Sequence, residues 1–551
     1  MTTSYPPGVV GPKDVATGRQ AMVSSQNVAV TDLMLDVLRQ GGNAVDAAIA
    51  GSMLQATVSQ EMTNHAGTVT VLFYEAATGQ VHELNSCGTI VPDLPPFRQV
   101  PVGRGFYAVP PGPFAVVPGF MPGVKELYSR FGTRPWASLV EPAAAAAREG
   151  HVVSSFEHYV AADMHPYFSF TPSGRRHFAP GGRVPQVGER WAKPELAVTL
   201  DRLAKEGPDD FLTGQWARDF VTRANEVGWH ITLAHMTAVP PRWGEGTRFR
   251  HGEHEIVQLS PPQMQALFCG IVLGILRELD VAGMGHYAES AESAYYLAHA
   301  LRRAKIDIGH VNDPRVFEDP TEVLLDPDYH RTLARLLRRS RPRTNLSGHI
   351  EVTSGPAHLL APYTAPEYTD SCEISVVDPH GNWLQMMNTM SCSGIPGEVV
   401  GGVPMTGCQG TTSLNAAHNI SGWFTGGGHV RSVIGNTLVL KDGAPVLALG
   451  TPGKVDATIP QVLSNILDFG MSPEQAEAAP LMMPLGDDYS LRVESRLPDD
   501  VVGGLHALGI RVDPLDAFNW HMGSFEMSWT DADGTLHGSS GRRREGKSAG
   551  F

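Results

Sequence analysis

The feature that most constrains this chain is the stretch from Glu373 to Val377. It alternates polar and apolar residues, breaks at Pro379-His380-Gly381-Asn382 and resumes at Trp383. Alternation with a period of two sends successive side chains to opposite faces of a strand. A Pro/Gly/Asn break between two such runs predicts a hairpin, with a second strand from Trp383 to Met390. The first strand is entered through Asp370-Ser371-Cys372, an acid, a hydroxyl and a thiol side by side, after a loop rich in Pro and Tyr (Ala361 to Tyr368). A hydroxyl there is a nucleophile only if a base is supplied. The residues alone allow an ordinary strand start equally well.

Elsewhere the pattern alternates between strands and helices. Met22 to Val30 reads as a strand and Asp32 to Leu38 as a helix closed by glycines. Gly41-Gly42-Asn43-Ala44-Val45-Asp46-Ala47-Ala48-Ile49-Ala50 reads as a small-residue helix that must pack closely. Further helices are predicted over Trp136 to Glu149, Lys193 to Lys205, Asp209 to Val227, Ser290 to Ile306, Arg331 to Arg341 and Val455 to Leu467, and Leu259-Ser260-Pro261-Pro262-Gln263-Met264-Gln265-Ala266 opens a long apolar helix to about Leu279.

A length of 551 residues suits more than one ordinary core, and roughly two to four domains is the starting expectation. A net charge of -15 argues against a nucleic-acid partner or an anionic membrane surface. Arg542-Arg543-Arg544 is a local exception, read as a solvated tail. The five cysteines, Cys87, Cys269, Cys372, Cys392 and Cys408, lack metal-ligand spacing. With a start that has neither a basic region nor an apolar stretch, they point to a reducing cytoplasm. No run is apolar for long enough to span a bilayer.

The stretch Ser371-Cys372-Glu373-Ile374-Ser375-Val376-Val377-Asp378, followed by Gly381-Asn382, resembles the start of the small subunit of gamma-glutamyltranspeptidases. There Thr-Thr-His-x-Ser-Val-Val-Asp precedes a Gly-Asn turn. The Gly41 to Ala50 string is similar to the large-subunit signature of the same family. Gly450-Thr451-Pro452-Gly453-Lys454 is similar to its Gly-Ser-Pro-Gly-Gly turn.

The resemblance implies an α/β fold, the four-layer αββα sandwich of N-terminal-nucleophile hydrolases, with two stacked, mainly antiparallel sheets flanked by helices. It implies cleavage between Asp370 and Ser371, giving a large part (1–370) and a small part (371–551) that form one αββα unit. These two fragments of a zymogen would be partners in a heterodimer, open to further assembly. A small-molecule substrate is expected, and no metal, cofactor, nucleic acid or membrane. The alpha-amine freed at Ser371 would be the general base, since its unperturbed pKa of about 8 suits proton transfer near neutral pH.

Carried over residue by residue, the resemblance makes Ser371 the nucleophile and Thr389 the threonine that hydrogen-bonds it. The N–H groups of Gly453 and Lys454 would form the oxyanion hole. Ser391 falls where the family has a substrate-contacting Asn, and Ser432 is what remains of a paired-Ser segment. Glu373, where the family has His, shares a strand face with Ser371. It is placed with the substrate-binding residues, able to pair with the new amine, or marks a site that no longer cleaves itself.

The substrate handles are missing. The family's four-glycine run is replaced by Thr63-Asn64-His65-Ala66-Gly67. Its carboxylate-gripping Arg has no counterpart from Asn85 to Pro92, leaving Arg98 or Arg104 as substitutes. Its acid for the substrate amino group is absent from Cys408-Gln409-Gly410-Thr411-Thr412. An unpaired carboxylate or ammonium in a closed pocket is costly, so a gamma-glutamyl group is not the expected substrate. The leading expectation is an amide-cleaving acyl hydrolase. Carbon-carbon bond cleavage, as in relatives serving alkylproline pathways, and a non-catalytic, unprocessed binding role are the alternatives.

Overall fold

The computed structural model describes residues 10–92, 100–101, 107–108, 116–169, 171–228, 231–340, 371–390, 395, 397–405, 426–486 and 488–551. Two seven-stranded sheets organise them. In chain order their strands are β1 (Ala16–Gly18), β2 (Met22–Ser25), β3 (Thr68–Glu75), β4 (Gln80–Ser86), β5 (Arg242–Gly244), β6 (Thr247–His251), β7 (His254–Gln258), β8 (Ser371–Val377), β9 (Trp383–Thr389), β10 (Thr437–Lys441), β11 (Ala444–Gly450), β12 (Glu526–Thr530), β13 (Leu536–Ser540) and β14 (Lys547–Gly550). The first sheet runs β1-β13-β12-β11-β10-β7-β6 and the second β5-β4-β3-β9-β8-β2-β14. Both are antiparallel throughout.

The sheets stack face to face. Leu72, Val377 and Met387 of the second meet Val439, Leu449 and Met527 of the first in one buried cluster. On its other face the second sheet packs Ile374, Val376, Leu384 and Met386 under α1 (Val28–Arg39), α2 (Ala44–Val58) and α3 (Trp136–Glu149). Beside them α4 (Ser155–Asp163) adds Val160 to a small cluster with Cys372. The far side of the first sheet is covered by α5 (Gln265–Leu279) and α6 (Val455–Leu467), which contribute Leu273 and Ile459 to the inter-sheet cluster. The layer order is helix, sheet, sheet, helix, the expected αββα sandwich, and each sheet draws strands from both sides of residue 371.

The two sequence stretches that carry the resemblance touch each other. Every residue of α2 is buried, which its Ala, Gly and Ser residues permit by letting neighbours approach closely. Asn43 and Asp46 form a capping box at its start. One more of the N–H groups left over at a helix start, that of Ala44, donates to Asp378 Oδ2 at 2.8 Å. The turn after β8 therefore caps the helix beneath it. Gly381, at φ +80°, closes that turn where a side chain would be strained.

Three expectations need correction. The strand from Met22 ends at Ser25, because the Asn27 side chain accepts the Ala29 N–H at 3.0 Å and starts α1 at Val28. The helix expected over Asp209 to Val227 is split into a short turn, Pro208–Phe211, and a helix, Gln215–Glu226. Asp210 Oδ1 accepts the N–H groups of Gln215 and Trp216 at the second start. Arg542-Arg543-Arg544 is no solvated tail, since Arg543 and Arg544 are among the largest fully buried side chains. Among the described residues no helix is long and apolar enough to cross a membrane.

Candidate active site

Ser371 is the first residue of β8 and stands opposite Thr389, the last of β9. Directly paired residues in an antiparallel ladder share a face, and the period of two adds Glu373 and Ser375 to it. That face looks into the sandwich, where Ser375 Oγ lies 2.9 Å from Ser528 Oγ of β12. Cys372 points the other way, into the cluster with Met62 and Met390, and burial pushes its thiol well above its ordinary range. A neutral thiol facing the helix layer is a poor nucleophile. Ser371 is only half-buried.

Glu373 is wholly buried between the sheets. Its Oε1 accepts from Gln385 Nε2 and from Asn436 Nδ2, each at 3.0 Å, and Asn436 Oδ1 accepts from Thr70 at 2.6 Å. Its Oε2 meets no partner among the described residues, and burial pushes the carboxyl well above the usual carboxylate range. Desolvation penalises the charged form and so favours the protonated acid. The carboxyl rests against Gly450, the last residue of β11, where a Cβ would lie 2.1 Å from Oε1. β8 and the turn that leaves β11 are thus locked together at a point where only glycine fits.

That turn, Gly450 to Lys454, runs straight into the N-terminus of α6, which has uncommitted N–H groups and the positive end of the helix dipole. Gly453 has φ +92°, and a Cβ there would lie 2.5 Å from His521 O and 2.8 Å from Gly523 N. The Lys454 N–H donates to His521 O at 3.0 Å, whereas the Gly453 N–H makes no hydrogen bond among the described residues. Of the two expected oxyanion donors, Gly453 is therefore ready and Lys454 is engaged.

Arg544 ties these parts together. Its Nη1 donates to the Ser371 carbonyl at 3.3 Å and its Nε to the Trp520 carbonyl at 3.2 Å. The guanidinium lies 5.3 Å from the Trp520 ring and 5.8 Å from the Phe156 ring, within reach of cation–π attraction. Trp520 precedes His521, so one buried cation braces Ser371 and the segment that holds the turn. Next to it Arg543 sits between Glu477 and Glu494, at 2.8 and 2.7 Å.

The sequence model of one family, described as Gamma-glutamyltranspeptidase, matches residues 31–551. The chain belongs to the gamma-glutamyltranspeptidase family. It is similar to a glutathione hydrolase proenzyme of Escherichia coli (strain K12), 25% identical over 557 residues that cover 95% of this chain and 90% of that protein. It is likewise similar to an acylase proenzyme, ACY 1, of Pseudomonas sp. (strain SE83), 25% identical over 573 residues and covering 97% and 94%. Its fold is shared with the crystal structure of cephalosporin acylase from Bacillus halodurans, with a TM-score of 0.81, 23% identity and coverage of 100% and 99%. The chain is thus an N-terminal-nucleophile hydrolase or acyltransferase of the gamma-glutamyltranspeptidase family.

Of the residues that the family resemblance singled out, Ser371, Thr389 and Glu373 share one face of β8 and β9, and Glu373 touches Gly450 at the head of the turn that carries Gly453 and Lys454. Ser432 is half-buried, and its carbonyl accepts the Met264 N–H at 3.0 Å. Asp370, Ser391, Arg98, Arg104, Cys392, the segment Cys408 to Thr412 and the loop before Tyr368 lie outside the described residues. The stretch that replaces the family's glycine run is buried. His65 Nε2 is 3.1 Å from Met53 O, burial pushes its ring down to about 3, and a Cβ at Gly67 would lie 2.1 Å from Thr389 O. Sequence reading missed Arg544, Trp520, Gln385 and Asn436. Only Arg544 carried a signal, as part of a cationic triplet in an acidic chain.

Proposed function

We propose that this member of the gamma-glutamyltranspeptidase family is a self-processing acyl hydrolase that cleaves an amide whose acyl group is not gamma-glutamyl. The observation that carries the reading is the placement of Ser371 and Thr389 as a directly opposed pair at the end of β8 and β9, with the Gly453 turn fixed alongside through Glu373 and Gly450. In this proposal the Asp370–Ser371 peptide bond is hydrolysed and the alpha-amine of Ser371 becomes the base. It takes the hydroxyl proton as Oγ attacks the substrate carbonyl. The Gly453 N–H receives the developing oxyanion at the positive end of α6. Lys454 supplies a second donor once it leaves His521 O. The amine leaves with the proton, and water then attacks the Ser371 ester to release the acid.

The substrate class rests on the missing handles. No Arg stands between Asn85 and Pro92 and no carboxylate between Cys408 and Thr412. Relatives named as acylases point the same way. The two fragments remain together as a heterodimer, since each sheet uses strands from both. A cytoplasmic location is part of the same proposal. The test is the intact mass of freshly purified protein, together with labelling by an acylating probe. Two fragments divided at Ser371, with the label on the smaller, are expected. A single unlabelled full-length species would overturn the proposal in favour of a binding role.

A further inference from the structure

On the helix side of β8 lies a cavity of about 210 Å³ that the acyl-transfer geometry does not use. Leu33 of α1, Leu54 and Val58 of α2 and Ala146 of α3 give it an apolar floor. Glu61, Glu157 and Glu545 converge on it from three different segments, and all three are at least nine-tenths buried. Cys372 forms part of its wall, facing away from Ser371, so β8 separates the cavity from the candidate active site.

Two of the carboxylates are satisfied within the fold. Glu157 Oε1 is 2.7 Å from His151 Nε2, and Glu545 Oε1 accepts from the Ser155 hydroxyl at 3.2 Å and the Phe156 N–H at 3.0 Å. Glu61 is different. It is 2% exposed, and its Oε2 has no hydrogen-bond partner among the described residues. Native structures rarely leave such an atom bare, because it has given up water and gained nothing. The buried ammonium nearby, Lys193, is spent on the Thr57 carbonyl at 2.5 Å and the Trp191 ring at 4.1 Å. Arg190 at the rim is exposed and donates to the Gly150 carbonyl at 2.6 Å. Burial, then the charge of Glu157, holds the Glu61 carboxyl well above its usual range while the cavity is empty. A cation placed there would supply what the site lacks. Among the described residues no group of three or more side chains could hold a metal ion, and the apolar floor suits a carbon chain.

We propose that this cavity is a second binding site, for a small primary alkylammonium whose –NH3+ donates to Glu61 Oε2 and whose chain lies on Leu33, Leu54 and Val58. The site stands independently of the chemistry at Ser371. The probe is n-hexylammonium, titrated calorimetrically into the full chain, with n-hexanol and hexanoate as matched neutral and anionic controls. Saturable one-to-one binding of the ammonium is expected, with hexanol weaker by about tenfold or more and hexanoate not binding. Glu61→Gln removes the charge and is expected to weaken the ammonium by about tenfold. Ala146→Phe fills the floor with every carboxylate intact and is expected to abolish binding. The proposal is overturned if the ammonium does not saturate at millimolar concentrations, if hexanol binds as well, or if Ala146→Phe still binds. Should Glu61→Gln fail to fold, the ammonium-to-hexanol ratio in the unmodified chain and Ala146→Phe decide the matter.

Discussion

The desolvation of the Glu373 carboxyl has a measurable consequence. In the unfolded chain the group ionises near 4.5, whereas burial holds it protonated to a well higher pH in the fold. Between those two values the unfolded state binds fewer protons than the native state, so stability falls as pH rises. One such group costs about 1.4 kcal/mol per pH unit. Below pH 4.5 both states are protonated and the cost vanishes. Glu373→Gln removes the titration while keeping the shape. The amide offers the same acceptor to Gln385 and Asn436, and its NH2 leaves two donors unpartnered where the protonated acid leaves one.

Urea unfolding of both forms, in a Ser371→Ala background that keeps the chain in one piece, measures the difference. Near pH 4.5 the two should agree within about 1 kcal/mol, and two units higher Glu373→Gln should be the more stable by about 2.7 kcal/mol. Glu61, also buried and raised, titrates in both forms and cancels, whereas the charge of Glu526 acts on Glu373 and is removed in both forms by a shared Glu526→Gln background. Parallel pH profiles would refute the reasoning. They would mean that Glu373 is ionised in the fold, with a cation beside it.

Ser371→Ala should abolish both self-cleavage and turnover, whereas Cys372→Ala, on the opposite face of β8, should leave two fragments on denaturing electrophoresis. Loss of cleavage in Cys372→Ala alone would place the nucleophile one residue later. Gly453→Ala should lower kcat by about a hundredfold or more, because a Cβ 2.5 Å from His521 O moves the oxyanion donor; progress curves under saturating substrate measure it. Arg543→Met should destabilise the fold by about 3 kcal/mol or more, by leaving Glu477 and Glu494 buried with less compensation, as read from the urea midpoint. A chromogenic gamma-glutamyl anilide should show little or no turnover, and robust release of the anilide would show that the substrate handles have been relocated.

Much of the architecture was legible because it is written in short-range patterns. The period of two from Glu373 to Val377, the turn residues Pro379 to Asn382 and the small-residue run after Gly41 each fix a local element by sterics alone. The αββα arrangement followed from their resemblance to a family. The identity of the candidate nucleophile was legible for the same reason, since Ser371 sits at a fixed offset from Asp378 and Gly381.

What sequence could not supply was the environment of each charge. Charge patterning presents Arg542-Arg543-Arg544 as a solvated tail, because their counter-ions Glu477 and Glu494 lie dozens of residues away and meet them only after the last strands close the sandwich. Glu373 reads as a carboxylate able to pair with an amine, and only stacking the two sheets shows that it loses its water against Gly450, which raises its pKa. The state of Lys454 is likewise a tertiary fact, set by a carbonyl at His521. Local sterics determined the strands, helices and turns of this chain. Desolvation and the pairing of distant groups, which exist only once the layers are packed, decided which side chains near Ser371 carry charge and which hold the others in place.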